Sequence, residues 1–369
     1  MGKKKPLHID YLNTYGGGFN TNSIGSVIKD IMAIKKQVQS EHYYTYNATT
    51  TSQQINLFNT TSQFYKRFTK FLNCLPYRVK KGVFKTMNYK MVVYIILYVL
   101  KRTFRNNKNL IIVYNGQPII FWVLKKMIRP KRLIFICHGG SLRVYNGEVG
   151  ENEILRYADT IVTLNTHVYN EVSELHNHVY LIPNYVKDVK SNSALKNKKH
   201  FVFAGRIDTN KRVKEICQIF KDSFEDTDFK LKICGSGNST YFNETLDIVE
   251  SSENLEYLGY LDIAQVKELY SNSGYIILIS ASEGSPLCLN DSYNYNITPI
   301  GNTIPGIQDF IEAFGGIMLP ESHIFEALEA TFKAIRGNEE ITYLTEQDVE
   351  KQMIFKKDYF ESKYKEILT

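Results

Sequence analysis

The chain has 369 residues, enough for two domains with packed cores, which excludes peptide hormones and disulfide miniproteins. Apolar residues make up 43% and charged residues 22%, the balance of a soluble globular protein, which excludes wholesale disorder and a multi-span membrane protein. The net charge of +7 divides unevenly: residues 1–147 hold 24 Lys/Arg against 3 Asp/Glu, residues 148–369 hold 21 against 35, and no acid occurs from His42 to Gly147. So one-sided a segment predicts an anionic partner: nucleic acid, an anionic membrane or a phosphorylated substrate.

In chain order, Met1-Gly-Lys-Lys-Lys-Pro runs into a mixed strand, Leu7 to Asn13, rather than an apolar core, so it is not read as a signal peptide. A loop Tyr15-Gly-Gly-Gly-Phe-Asn follows, then a helix from Ser23 to Lys36 with Ile24, Val27, Ile28 and Ile31 at helical spacing. Residues Asn47 to Gln63 are rich in Thr, Ser, Asn and Gln and predict an exposed loop or lid. Phe64-Tyr-Lys-Arg-Phe-Thr-Lys-Phe-Leu and Tyr77-Arg-Val-Lys-Lys-Gly-Val-Phe-Lys interleave aromatic and basic residues, the composition of a helix lying among lipid headgroups. A solvated basic face over an ordinary core is the competing reading. Nucleic acid is not favoured, because no recognition motif accompanies the charge. The longest apolar run, Met91 to Leu100, is about half of what crosses a bilayer and predicts a buried or interfacial helix.

Apolar runs at Leu110 to Val113, Leu133 to Cys137 and Thr160 to Leu164, separated by helical patterns at Ile119 to Met127 and Glu151 to Tyr157, read as buried parallel strands. After a polar connector, His200-Phe-Val-Phe-Ala opens a second series, with strands at Phe229 to Cys234, Leu255 to Tyr257, Tyr275 to Ile279, Thr298 to Ile300 and Gly316 to Leu319. The alternation predicts an α/β fold of two Rossmann-like, doubly wound domains facing across a cleft. Their bounds are 1–185, a linker 186–199, 200–350, and a C-terminal helix over 351–369 that crosses back to the first domain. Five scattered cysteines without a C-x-x-C pair suggest neither a disulfide framework nor a thiolate zinc site, and a reducing cytosol is the expected compartment.

Three motifs carry chemistry. In Phe203-Ala-Gly205-Arg206-Ile-Asp-Thr-Asn-Lys211-Arg212 a strand ends in glycine and is followed by cations before a helix. Gly205 lets a ligand approach the backbone, and Arg206 and Lys211 can neutralise a diphosphate, although surface cations would look the same. Gly235 and Gly237, in Ile233-Cys-Gly-Ser-Gly, form a strand-to-loop pair that is weak evidence alone. In Ser280-Ala-Ser-Glu283-Gly284-Ser285-Pro286-Leu287-Cys-Leu-Asn-Asp291 two carboxylates lie eight residues apart, either side of a glycine-proline loop. Such a pair can hold the hydroxyls of a polyol, or can simply face solvent.

In order and spacing these motifs resemble the retaining glycosyltransferases of family four, which have the GT-B fold. The likeness is close over residues 200–311. It includes Leu258-Gly259-Tyr260, a closing Gly306-Ile-Gln-Asp309, and the hinge-like Ile182-Pro183-Asn184. The resemblance implies a nucleotide-diphosphate sugar as donor. Arg206 and Lys211 would clamp the diphosphate, Glu283 would contact the donor sugar, and Asp291, one methylene shorter than the family's glutamate, would bind the ribose. Gly235, Gly237, Tyr260, Gly284, Ser285, Pro286 and Leu287 would complete the donor site. In the first domain, Gly16, Gly17 and Gly18 take the place of a glycine-rich loop, and His138 in Cys137-His138-Gly139-Gly140 would face the donor sugar. The family needs no cofactor and no metal, and the remaining histidines lack metal-ligand spacing.

The implied function is a hexosyltransferase-type enzyme peripheral on the inner face of a bacterium's cytoplasmic membrane. It would act on a lipid-linked or oligosaccharide acceptor in cell-surface polysaccharide synthesis. A transferase with a soluble acceptor, a GT-B nucleotide-sugar epimerase and a non-catalytic membrane-binding scaffold are the alternatives.

Overall fold

A computed structural model describes residues 7–13, 23–34, 38–45, 54–56, 110–114, 121–122, 124–138, 151–187 and 197–368. The glycines Gly16, Gly17, Gly18, Gly139 and Gly140, the aromatic-basic segments 64–72 and 77–85, and the apolar run 91–100 lie outside the described residues. The first sheet contains β1 (Leu7–Asn13), β2 (Val38–Thr45), β3 (Gln54–Asn56), β4 (Leu110–Tyr114), β5 (Arg132–Cys137), β6 (Thr160–Thr163) and β7 (Val179–Leu181) in the order 3-2-1-4-5-6-7. All its pairings are parallel. The second contains β8 (Asn197–Ala204), β9 (Lys230–Cys234), β10 (Leu255–Gly259), β11 (Ser273–Leu278), β12 (Thr298–Asn302), β13 (Gly316–Leu319) and β14 (Leu344–Thr345) in the order 10-9-8-11-12-13-14, with β14 alone antiparallel. The unbroken apolar runs make this possible: Leu133 to Cys137 are fully buried, as strands covered on both faces require.

In the first half, α1 (Ser23–Ala33), α2 (Glu151–Tyr157) and α3 (Thr166–Ser173) flank the sheet. In the second half the helices are α4 (Val213–Phe224), α5 (Thr240–Glu250), α6 (Ile263–Ser271), α7 (Leu287–Asn294), α8 (Pro305–Phe314) and α9 (Ile324–Gly337). The second core centres on Phe201, whose ring lies 4.6–6.3 Å from those of Phe220, Phe224, Phe229, Phe332 and Tyr275. Helix α10 (Lys357–Leu368) packs away from that core: Phe360, Tyr364, Ile367 and Leu368 are buried with Ile9, Tyr11, Ile28 and Ile134 of the first half.

Several local expectations are corrected. Within the anticipated loop 47–63, Gln54–Asn56 forms edge strand β3, because parallel pairing with β2 asks for backbone groups rather than apolar side chains. Strand β8 starts at Asn197, inside the anticipated linker, and β2, β7 and β14 have no counterpart in the apolar pattern. Helix α1 ends at Ala33, three residues before Lys36. The helix anticipated over 119–127 closes in a π-helical turn, Leu124–Ile128, ended by Arg129 in the left-handed conformation.

In both halves the strand order reverses beside the first strand of the series, between β1 and β4 and between β8 and β11. Successive crossovers leave on opposite faces there, which opens a crevice at the strands' carboxyl ends.

Candidate active site

The reversal point of the second sheet gathers the charged residues. Strand β8 delivers Gly205 and Arg206, and a 3-10 turn, Thr209–Lys211, presents Lys211 after its N-cap Asp208. Strand β11 delivers Glu283. The Lys211 ammonium donates to Glu283 Oε1, with both side chains only 14% exposed, so this ion pair is largely shielded from solvent. Arg206 stands apart: its side chain is 76% exposed and lies 3.2 Å from Asp208. One backbone and one side-chain hydrogen bond sew the two loops together, Ala281 N donating to Asn210 O at 2.8 Å and Asn210 Nδ2 to Ser282 O at 3.2 Å. Buried Asn302 fixes the start of the Glu283 loop, accepting from Ser280 N at 3.1 Å and donating to Ser280 O at 2.8 Å.

The glycines have steric causes. Gly235 has φ +148°, and a Cβ there would fall 1.7 Å from Gly205 O. The β8 and β9 loops therefore touch backbone to backbone, as the Ile207 N to Ser236 O bond at 3.0 Å confirms. At Gly237 a Cβ would lie 2.5 Å from Ile207 O. Gly306, at the start of α8, sits against the Glu283 loop, where a Cβ would be 2.2 Å from Gly284 O.

Helix α7 continues from the Glu283 loop, with Pro286 as its N-cap. Asp291, about one turn along, lines a cavity of about 360 Å³ together with Leu287, Leu261, Lys267, Lys187 and Asp30 of α1. Burial pushes its carboxyl up to about 6, against the pull of Lys187 and Lys267. Cys288, next along α7 from Leu287, feels Lys211, Glu283 and Asp291 electrostatically, but burial pushes its thiol up to about 12, so it is no thiolate. At the end of β5 in the first half, burial lowers the His138 imidazole to about 4 and holds it neutral at physiological pH.

The structure thus joins Lys211 to Glu283 directly and puts Leu287 and Asp291 in the adjoining cavity. Other candidates have different commitments. Tyr260 is 77% exposed, while its neighbour Leu261 lines the cavity. Tyr257 is the tyrosine that supports the glycine turn, donating to Gly235 O at 3.0 Å. Ser285 serves the junction between the halves: its Oγ accepts from Asn184 N at 3.1 Å and its carbonyl from Asn184 Nδ2 at 2.6 Å. Gly284 O accepts from Asn165 of the first half at 3.3 Å. Asp309 turns to Thr166, accepting from its N at 2.7 Å and its Oγ1 at 2.5 Å. Asn165, Thr166, Asn210, Asn290 and Asn302 carried no signal in the sequence, because their partners lie 22 to 143 residues away. Among the described residues no cluster of three or more His, Cys, Asp or Glu could hold a metal ion, and no helix is long and apolar enough to cross a membrane.

No protein of curated function matches the chain in sequence. Among solved structures, the chain is similar to the pneumococcal O-GlcNAc transferase GtfA in complex with UDP and GlcNAc, at 18% identity and a TM-score of 0.58. That match covers 75% of the chain and 59% of GtfA, so the chain spans less than two thirds of that relative's length. Over nearly full lengths it is similar to the apo form of the lipopolysaccharide outer core galactosyltransferase WaaB (14% identity, 97% and 98% covered, TM-score 0.62). It is likewise similar to a sucrose-phosphate synthase from Thermosynechococcus elongatus (11% identity, 98% of both covered, TM-score 0.68). Residues 186–347 match the family model described as glycosyl transferases group 1. The chain has the GT-B fold, and its second half carries the sequence pattern of glycosyl transferases group 1.

Proposed function

We propose that the protein transfers a hexose from a nucleotide-diphosphate sugar to an acceptor hydroxyl with retention at the anomeric carbon. The observation that carries this reading is the meeting of Lys211 and Glu283, 72 residues apart in sequence, in a shielded pair at the strand-order reversal of the second sheet. Departure of the nucleotide breaks the bond between the anomeric carbon and phosphate and gathers negative charge on the leaving oxygen. Cations fixed in advance stabilise that charge more than they stabilise the bound donor. Lys211 supplies one, and exposed Arg206 swings in to supply the other, so the site needs neither cofactor nor metal. Glu283 holds the donor sugar's hydroxyls, the Gly205–Gly235 contact lets phosphate approach the backbone, and Gly284 to Leu287 lead it to the N-terminus of α7.

The cavity beside Leu287 and Asp291 takes the nucleoside, with the Asp291 carboxylate accepting from the ribose. His138, neutral, faces the sugar from the first half. The acceptor hydroxyl attacks from the donor's own face and passes its proton to the departing phosphate oxygen on that face. The structures of GtfA with UDP and GlcNAc and of the galactosyltransferase WaaB favour a sugar nucleotide and a glycan acceptor. The net charge of +21 over residues 1–147 favours an acceptor carried on an anionic membrane, as lipid-linked glycans of bacterial surface polysaccharides are, with the enzyme on the cytoplasmic face.

The test is a thermal-shift screen with UDP, GDP, ADP, TDP and CMP, run on the wild type, Arg206→Ala and Lys211→Ala. One nucleotide should raise the melting temperature of the wild type, and each variant should lose most of that rise. No rise for any nucleotide would sink the reading.

A further inference from the structure

We propose that the outward face formed by Trp122, Lys126, Met127, Arg129 and Lys131 docks the first half on an anionic lipid surface. Phe121 and Leu124 are fully buried, and Phe121 packs edge-on against Phe135 of β5 with ring centroids 5.2 Å apart. That anchor fixes the segment's rotation and turns its neighbours outward. Trp122 is 42% and Met127 58% exposed, and Lys126, Arg129 and Lys131 are exposed beside them. Trp122 precedes the π-helical turn, Lys126 and Met127 lie in it, and Arg129 and Lys131 follow it, so the five exposed residues fall within ten residues of chain. The π-helical turn ends where Arg129 N donates to Leu124 O at 3.0 Å, and the Arg129 side chain folds back so that Nε lies 3.4 Å from Lys126 O.

The neighbouring cations point elsewhere. Lys125 pairs with Asp159 at 2.5 Å, and the Arg132 guanidinium donates to Ile367 O of α10. The outward cations are therefore those that stand beside the exposed tryptophan and methionine. A large amphipathic ring and a flexible thioether flanked by three cations match a headgroup layer, where the ring sits among the glycerol groups and the cations meet phosphate. The surface bears on the membrane-borne acceptor proposed above but not on the nucleotide site, so the two readings can fail separately.

The chain has a single tryptophan, so its fluorescence reports on this face without any substitution. Vesicles of phosphatidylglycerol and phosphatidylethanolamine should shift the Trp122 emission to the blue, brominated acyl chains should quench it, and pure phosphatidylcholine should do neither. In Lys126→Gln/Arg129→Gln the partition coefficient should fall about twenty-five-fold, at about fivefold per cation, while the nucleotide-induced thermal shift stays as in the wild type. Protein that stays in the supernatant would overturn the proposal. So would protein that sediments with anionic vesicles while its tryptophan is neither shifted nor quenched, or a response to single-stranded nucleic acid but not to vesicles.

Discussion

At the scale of single residues, His138 and Asp291 oppose one another in acid. Burial lowers the His138 imidazole from its ordinary 6.5 to about 4. Between those values the unfolded chain takes up a proton that the native state refuses, so this residue removes stability as pH falls, by on the order of 3 kcal/mol in full. Burial raises the Asp291 carboxyl from 3.8 to about 6. In that window the native state keeps a proton that the unfolded chain has lost, so this residue adds a similar amount as pH falls through 6. Urea unfolding at pH 7, 5.5 and 4.5 separates the two. Acid should stabilise His138→Gln relative to the wild type and destabilise Asp291→Asn, and equal slopes in all three proteins would contradict both assignments. Nucleotide affinity should also weaken below pH 6 in the wild type and lose that dependence in Asp291→Asn.

At the scale of elements, close backbone approach explains why particular positions are glycine. Alanine at an exposed helical position usually gains up to about 1 kcal/mol over glycine. At Gly306 the new Cβ would meet Gly284 O at 2.2 Å, so α8 would have to back away from the loop that carries Glu283. Gly306→Ala should cost about 1–3 kcal/mol in chemical unfolding and lower turnover with an unchanged circular dichroism spectrum. Gly205→Ala is the control, since its Cβ meets only Phe203 Cζ at 3.5 Å; it should keep its stability. Full wild-type stability in Gly306→Ala would show that the loop yields without cost.

The central strands β4, β5, β6 and β8 to β13 were legible because buried parallel strands are apolar runs, and the glycine, cation and carboxylate motifs because the loops at the reversal point keep them within short stretches of chain. Other elements were not. Edge strands β3 and β14 are polar or very short, and their pairing is decided by backbone geometry. Ser285 and Asp309 are also hydrogen-bonded to Asn184 and Thr166 across the junction, a commitment visible only once two distant segments are neighbours.

At the scale of the whole molecule, the halves meet through a polar seam. Thr166 donates twice to Asp309, Asn165 donates to Gly284 O, and Asn290 donates to Asn184 O and Tyr185 O at 3.0 Å each. Burial raises the Asp309 carboxyl, while the Thr166 bonds draw it back. Asp309→Ala would leave the Thr166 donors without their acceptor, at about 1–3 kcal/mol. Small-angle scattering should then give a larger radius of gyration, and KM for the donor should rise more than kcat falls. An unchanged radius and KM would mean that the seam does not set the angle between the halves.

Helix α10 adds a consequence for biosynthesis. Its buried residues Phe360, Tyr364, Ile367 and Leu368 complete the core around Ile9 and Tyr11. On the ribosome, the half that is translated first therefore finishes folding last, holding an open apolar face until residues 357–368 emerge, while the second sheet closes on itself in the meantime. Chaperones that guard nascent chains would find their longest-lived target near the beginning of this sequence, not its end.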